Sequence, residues 1–221
     1  MTGGVLGEYS HDVYRHRNQV HGLRQIAQTD YTTRMSTALL VVDMQNAFSS
    51  MVAESLPNVT KLIAHFQGHN LPIIFTQHGH TDDELTPPFR NQLVRKWGAD
   101  GSIRVGTESW DFIPEIKELI NESPIVPKNT YDAFLGSKLK GLKLEDVLNK
   151  EDVERVVVCG VMTDCCCDTT GRGAFNRGFE TWLVGDACGS ANKAQHRRGL
   201  QVFEFGFGEV VTTRQVVDRL E

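Results

Sequence analysis

The stretch Ala38-Leu-Leu-Val-Val-Asp43 decides the fold class of this chain. Its apolar residues follow one another without a polar interruption, and two of them are adjacent valines. Such a run is typical of a strand buried on both faces, as in a parallel sheet, because a half-exposed strand alternates polar and apolar residues. The aspartate that follows the run is therefore expected at the carboxyl end of a buried strand.

Similar apolar runs recur along the rest of the chain. We predict further strands at residues 72–77, 124–127, 155–159, 180–184 and 209–213. Between them, residues 59–67, 114–120, 142–149, 164–177 and 193–205 have helical patterns. Strands that alternate with helices indicate βαβ units. We therefore predict a three-layer α/β/α, Rossmann-like fold: a mostly parallel six-stranded sheet with helices on both faces.

The first part of the chain differs from the rest in composition. Residues 1–35 are polar and rich in His, Arg, Gln and Thr, so we predict an N-terminal arm, with a short helix near residues 20–28. Residues 36–221 contain no internal repeat or low-complexity linker and are predicted to form one domain. Within it, residues 78–111 form the longest irregular stretch, and a long loop in a compact domain is more often functional than idle.

Composition excludes several classes of protein. The 221 residues include 23 Lys and Arg against 28 Asp and Glu, a net charge of −5, so no nucleic-acid partner is expected. No apolar run approaches the roughly 18 residues that a membrane span requires, and the first residues lack a signal-peptide pattern. Five cysteines, three of them consecutive, do not make a disulfide framework. We therefore expect a cytoplasmic protein without a membrane partner.

Three reactive residues follow predicted strands. Asp43 ends the first strand, Lys128 follows the third, and Cys166 lies at the helix start after the fourth. Ligands of open α/β sheets bind outside the carboxyl ends of the strands, at the point where the strand order reverses. Each residue alone is ordinary, since an aspartate can close a turn and a lysine is usually solvated. Together they can supply a thiol nucleophile, a base and a cation.

The consecutive cysteines 165–167 lie at a predicted helix start. Thr163 and Asp164 are good N-cap residues, and the positive end of a helix favours the thiolate form of a nearby cysteine. Neighbouring side chains on a helix point roughly 100° apart, so only one of the three can face the crevice squarely. Composition alone favours small buried side chains at all three positions, and consecutive cysteines cannot wrap a tetrahedral zinc ion.

These residues and their surroundings resemble the isochorismatase-like hydrolases, also called the cysteine hydrolase family. The matching segments are Leu39-Leu-Val-Val-Asp-Met-Gln-Asn-Ala-Phe48, Pro127-Lys-Asn-Thr-Tyr-Asp-Ala-Phe134 and Val158-Cys-Gly-Val-Met-Thr-Asp-Cys-Cys-Cys-Asp-Thr-Thr170. Residues 174–179 and 184–188 also fit, and the resemblance covers about residues 36–215. The three segments in this order are specific, whereas any one alone is a moderate signal.

The resemblance implies a role for each residue of the site. Asp43 is the general base, Lys128 its cationic partner, and Cys166 the nucleophile. A cis peptide joins Val161 and Met162, and the backbone N–H groups of Met162 and Cys166 hold an oxyanion. The implied reaction is hydrolysis of a small amide, carbamoyl or ureido compound through a Cys166 thioester, with release of ammonia or an amine. No cofactor and no metal are implied.

Three other hypotheses remain open. Thr76-Gln-His78 and Lys96-Trp-Gly98 resemble segments of true isochorismatases, which hydrolyse the vinyl ether of isochorismate to a dihydroxybenzoate-type diol and pyruvate. His78-Gly-His80 lies where nicotinamidases carry an Asp-x-His metal pair, but the aspartate is missing here, so we expect no metal. The third hypothesis is a non-catalytic thiol protein for redox sensing or binding, although such a protein has no need of Asp43 and Lys128.

Substrate recognition is predicted for residues in or beside the loops at the strand ends. Aromatic side chains there would enclose a small, partly apolar pocket for a small-molecule substrate. The candidates are Phe48, Gln77, Trp97, Tyr131 and Phe134. By the same resemblance the chain is expected to form a homo-oligomer, either a dimer or a tetramer.

Overall fold

The computed structural model describes residues 35–135 and 141–221, so the predicted N-terminal arm and its helix lie outside the described residues, apart from Met35. Six strands form one sheet in which every neighbouring pair is parallel. The strands are β1 (Thr37–Val42), β2 (Ile73–His78), β3 (Ile125–Lys128), β4 (Arg155–Val161), β5 (Glu180–Gly189) and β6 (Glu209–Val211).

Helices connect these strands. They are α1 (Ser49–Val52), α2 (Leu56–Gly68), α3 (Gln92–Trp97), α4 (Pro114–Lys117), α5 (Leu144–Lys150), α6 (Asp168–Phe175), α7 (Lys193–Gly206) and α8 (Thr213–Arg219). Short 3₁₀ turns occur at Asn46–Phe48 and Ala133–Leu135, and one π-helical turn at Thr163–Cys167. Within the described ranges no helix is both long and apolar enough to cross a membrane.

The strand order is β3-β2-β1-β4-β5-β6. The chain begins in the middle of the sheet, builds one half outward through β3, and then crosses to build the other half from β4. The order therefore reverses between β1 and β4, where a parallel sheet opens a crevice at its carboxyl edge. Asp43 follows β1 and the cysteine turn follows β4, so both enter this crevice.

The residues of β1 explain why its sequence shows no polar alternation. Leu39 and Val41 pack into a core layer that includes residues of α2 and α8. Leu40 and Val42 pack into the opposite layer with residues of α5, α6 and α7. Both faces of the strand are thus covered by helices, and the predicted three-layer α/β/α fold is confirmed.

Several boundaries differ from the prediction; β5, for example, continues to Gly189 beyond its predicted end at residue 184. Two others differ because polar side chains cap helices there. The strand predicted at residues 209–213 ends at Val211, since Thr212 and Gln215 form a reciprocal capping box that starts α8. The stretch 78–111 is irregular as predicted except for α3, whose first turn is capped by the side chain of Asn91. Short helices of this kind have too few apolar positions for a clear periodic pattern.

Candidate active site

Asp43, Lys128 and Cys166 meet at the crevice. The Nζ atom of Lys128 lies 2.7 Å from Oδ2 of Asp43 and 3.2 Å from Sγ of Cys166. The Asp43 and Lys128 side chains are fully buried, and Cys166 is 6% exposed. The structure therefore brings together the three residues that the sequence proposes as base, cation and nucleophile.

Lys128 reaches this centre from two strands away. It is the last residue of β3, and its side chain extends past the end of β2 to Asp43. The Nζ atom also donates a hydrogen bond to the carbonyl oxygen of Thr130 at 3.0 Å. Asp43 has a φ of +49° and is held by Thr76, whose hydroxyl donates to Oδ1 at 2.7 Å and accepts from the Asp43 N–H. Each carboxylate oxygen thus has its own partner, which orients the acid.

The strands that carry the acid and the cysteine approach each other closely at their ends. Gly160 pairs with Val42, and a Cβ at position 160 would overlap the Val42 carbonyl oxygen. Gly160 also has a φ of +116°, which side chains rarely adopt. The peptide bond between Val161 and Met162 that follows is cis, as the resemblance implies.

The turn after β4 differs from the predicted helix start. The N-cap residue is Met162, not Thr163 or Asp164, and the chain makes one π-helical turn before α6. The Thr163 hydroxyl does not cap the turn, because it donates instead to the carbonyl oxygen of Gly189 on the neighbouring strand. This bond ties the start of the cysteine turn to β5.

The wider turn separates the three consecutive thiols. Cys166 contacts Lys128, and Cys167 is fully buried against the thiol of Cys188. Cys165 is half-buried and lines the same cavity as Cys166, although the helix geometry predicts that only one of the three side chains faces the crevice squarely. Its thiol, however, has no hydrogen bond to Lys128 among the described contacts, which leaves Cys166 as the candidate nucleophile.

Burial controls the protonation of this centre. Desolvation raises the pKa of Cys166 to about 12, with Asp43 adding to the rise and Lys128 opposing it. Burial alone would lower the pKa of Lys128, but Asp43 and Cys166 reverse the effect and raise it. The resting centre therefore holds a thiol beside an ammonium group. The helix end predicts a thiolate, whereas burial of the Cys166 side chain favours the thiol.

Alkylation should report this resting thiol. Because the thiolate is the reactive form, labelling of Cys166 by iodoacetamide should rise about tenfold per pH unit between about pH 7 and 10, without a plateau. Lys128→Met should slow the labelling, since Lys128 lowers the pKa of Cys166. Tandem mass spectrometry of the peptide that contains residues 165–167 measures both rates. A plateau near neutral pH would show that the resting residue is a thiolate.

A cavity of about 380 Å³ opens over Cys166. Phe48, Trp97 and Tyr131 line it, in the positions that the sequence predicts for substrate-binding residues. The indole N–H of Trp97 donates to the Tyr131 hydroxyl at 3.0 Å, so the two rings form one wall. The cavity is the size of a small ligand and is enclosed largely by apolar groups.

Two predicted substrate-binding residues lie outside the lining of this cavity. The Gln77 side chain donates to the carbonyl oxygen of Trp110 at 3.0 Å, so it fastens the loop to β2. Phe134 stacks on Phe179 with a centroid distance of 6.2 Å and lies beneath the Arg177 guanidinium. Gln77 and Phe134, which the sequence predicts as substrate-binding residues, thus contact protein groups and do not line this cavity.

Sequence reasoning missed other residues of the site. Thr76 holds Asp43, and its place follows once the parallel register is known, because it pairs with Val42 at the end of β1. Leu93, Ile103 and Gln195 also line the cavity, from α3, the following loop and the first turn of α7. These positions carry no local motif, since only the tertiary fold brings them to the strand ends.

His78 and His80 lie side by side in the cavity, where nicotinamidases carry a metal pair. The two rings lie 5.0 Å apart at a right angle and both line the cavity. In residues 35–135 and 141–221, no group of three or more His, Cys, Asp or Glu side chains is arranged to hold a metal ion.

The parallel sheet brings an aspartate, a lysine and a cysteine together at the point where its strand order reverses. This arrangement defines an α/β protein of the cysteine-hydrolase type. The family model of the isochorismatase domain matches residues 37–215, which is most of the chain. The chain therefore belongs to the isochorismatase-like hydrolase family.

Individual relatives agree with this assignment. The chain is 37% identical to Nicotinamidase 3 of Arabidopsis thaliana over 175 residues, which cover 79% of this chain and 83% of that protein. A cysteine hydrolase from Pseudomonas syringae pv. phaseolicola 1448A has a TM-score of 0.71 at 25% identity, with coverage of 84% and 92%. N-carbamoylsarcosine amidase from Thermoplasma acidophilum, at 22% identity and a TM-score of 0.64, covers 81% of this chain and 97% of its own, and shares the fold.

Proposed function

We propose that this chain is a cysteine-dependent hydrolase of a small amide, carbamoyl or ureido compound, acting through a Cys166 thioester and releasing ammonia or an amine. The observation that carries the proposal is the buried contact of Lys128 with both Asp43 and Cys166 beneath the cavity. A structural ion pair would not need a thiol as its third member at the floor of a cavity.

The first half of the reaction forms the thioester. As sulfur attacks the carbonyl carbon, the Cys166 proton passes to the Asp43 carboxylate, and the carbonyl electron pair moves to oxygen. The N–H groups of Met162 and Cys166 are the proposed donors to this oxyanion, and Lys128 stabilises the negative charge that develops on sulfur. When the oxyanion collapses, the C–N bond breaks and the leaving nitrogen takes the proton from Asp43.

The second half regenerates the enzyme. Asp43, again a carboxylate, takes a proton from a water molecule that attacks the thioester carbon. The C–S bond then breaks, the carboxylic acid leaves, and the sulfur recovers its proton. Because the resting thiol has a raised pKa, the base beside it is needed in each turnover, which explains why all three residues occur together.

Two observations argue against isochorismate hydrolysis and against a redox-sensing thiol. Among the described residues that line the cavity none is Arg or Lys, whereas isochorismate carries two carboxylates that need cationic partners. A redox-sensing thiol needs a lowered pKa, whereas the pKa of Cys166 is raised. The Arabidopsis relative named Nicotinamidase 3 supports an amide substrate, which is the bond that thiol chemistry cleaves.

Ammonia release tests the proposal. The protein should release ammonia from at least one member of a panel of nicotinamide, benzamide, N-carbamoyl amino acids and substituted ureas. Acid quenching during turnover should trap an acyl adduct on the peptide that contains Cys166. Pyruvate release from isochorismate is measured in parallel. Pyruvate without ammonia from any amide would contradict the proposal and favour vinyl-ether hydrolysis.

A further inference from the structure

Two buried histidines in the cavity have no part in the proposed reaction. His78 is 8% exposed and His80 1%, and both line the cavity that contains Cys166. The backbone fixes their position, since the His78 N–H and carbonyl bond to the Gln45 side chain and the His80 N–H bonds to the Ile103 carbonyl. Burying two imidazoles costs free energy unless their nitrogens find partners.

The described part of the chain offers few such partners. No protein group forms a hydrogen bond with Nε2 of either ring in residues 35–135 and 141–221, and Nδ1 of His78 is fully buried without one. Nδ1 of His80 is also buried without a hydrogen bond, and a Glu84 carboxylate oxygen lies 3.7 Å from it. The unused hydrogen-bonding capacity of the rings is therefore available to a molecule in the cavity.

Glu84 determines which nitrogen of His80 faces the cavity. This buried carboxylate accepts hydrogen bonds from the Thr81 N–H at 3.2 Å and from the side-chain amides of Asn129 at 2.7 Å and Asn91 at 3.3 Å. His80 lines the cavity and Glu84 does not, so we infer that the Nδ1 edge of His80 faces Glu84 and the Nε2 edge faces the cavity. The separation of 3.7 Å is too long for a hydrogen bond, but the negative charge of Glu84 favours the tautomer with its proton on Nδ1 and a lone pair on Nε2.

The rings are neutral in this environment. Burial lowers the pKa of His78, and the charge of Lys128 lowers it further. Burial also lowers the pKa of His80, with Lys128 acting in the same direction and Glu84 opposing both. A neutral ring with its proton toward Glu84 is a hydrogen-bond acceptor at the cavity wall.

We propose that His80 is a specificity-determining residue whose Nε2 accepts a hydrogen bond from an N–H or O–H group of the substrate outside the scissile bond. This inference rests on the proposed function of the same site. It narrows the substrate class to small uncharged amides that carry a second hydrogen-bond donor, such as a hydroxyl, amino or ureido substituent. The absence of Arg and Lys from the described lining fits an uncharged ligand.

Matched ligands test the proposal without requiring turnover. Calorimetry on the Cys166→Ala variant compares the three hydroxybenzamide isomers with the three fluorobenzamides, because fluorine approximates the size of a hydroxyl but donates no hydrogen bond. At least one hydroxybenzamide should bind about tenfold more tightly than its fluoro counterpart. Equal affinities for every pair, or no binding by any of the six amides, would overturn the proposal.

Two substitutions at His80 separate recognition from structure. His80→Asn keeps an N–H near Glu84 but removes the acceptor at Nε2, so the preference for the hydroxyl should fall below about twofold. His80→Gln places an amide oxygen near the Nε2 position and should restore part of the preference. Equal loss in both variants, or a preference that EDTA removes and Zn²⁺ restores, would overturn the assignment. If His80→Asn does not fold, the ligand pairs and His80→Gln still decide the outcome.

The two proposals can fail separately. If Cys166→Ala hydrolyses amides as fast as the unsubstituted protein, the thioester reaction is wrong, while the hydroxyl preference at His80 can still be measured. If Cys166→Ala is inactive but binds hydroxybenzamides and fluorobenzamides equally well, the thioester reaction is supported and the proposed role of His80 is wrong.

Discussion

Replacement of Cys166 by alanine lowers kcat for amide hydrolysis by at least about 10³-fold, which is the scale seen when a covalent nucleophile is removed. The reason is that Cys166 is the thiol in contact with Lys128 at the floor of the cavity, and without its sulfur no thioester can form. Ammonia release under saturating substrate measures the loss. The remaining activity should show no acyl adduct on the protein.

The neighbouring cysteines are matched controls for this substitution. Cys165→Ala changes a thiol in the same cavity that does not contact Lys128, and Cys167→Ala changes one in the core. Cys165→Ala should keep most of the activity, and Cys167→Ala should mainly lower the thermal midpoint because it leaves a small cavity. A variant at Cys165 that loses as much activity as Cys166→Ala would move the nucleophile to the adjacent residue.

Replacement of Lys128 by methionine should lower the free energy of unfolding by about 3–5 kcal/mol, because it leaves a buried charge without its partner. Asp43 is fully buried, and after the change its carboxylate would keep the hydrogen bond from Thr76 but lose the ammonium group that pairs with it. Urea unfolding followed by circular dichroism measures the difference. The variant should also lose amide hydrolysis, since the developing negative charge on sulfur has no cation.

The double variant Asp43→Asn with Lys128→Met distinguishes lost pairing from lost packing. Removing both charges should recover more than half of the stability lost in Lys128→Met, because no unpaired charge remains buried. Asp43→Asn alone leaves the ammonium group unpaired and should also destabilise the fold. Additive losses in the double variant would show that the Lys128 side chain stabilises the protein by packing and not by its charge.

The sheet and its three reactive residues are the features that the sequence predicts well. Uninterrupted apolar runs mark strands covered on both faces, and polar residues directly after Val42 and at Lys128 mark where these strands end. Because parallel strands end at one edge, the order of the runs is enough to expect Asp43, Lys128 and Cys166 near each other. The three residues are close because of the strand topology, and the local sequence patterns are enough to predict that topology.

Protonation and substrate contacts depend on tertiary packing and could not be predicted in this way. A helix start suggests a thiolate at Cys166, but only the fold shows that the thiol is desolvated enough to reverse this expectation. Gln77 and Phe134 lie close in sequence to residues that line the site, yet each packs against a neighbour instead. Residues at a strand end alternate in direction, so sequence distance alone does not identify those that face a ligand.

The close approach of Gly160 to Val42 has a consequence for how this enzyme can change during evolution. Main-chain atoms set the spacing between β1, which carries the acid, and β4, which carries the nucleophile. No side chain fits between the two strands at position 160. Substitutions elsewhere in the apolar layers can then accumulate with little drift in the catalytic spacing, provided that position 160 remains glycine. The loop that shapes the cavity can diversify toward new substrates while the reactive centre is inherited unchanged.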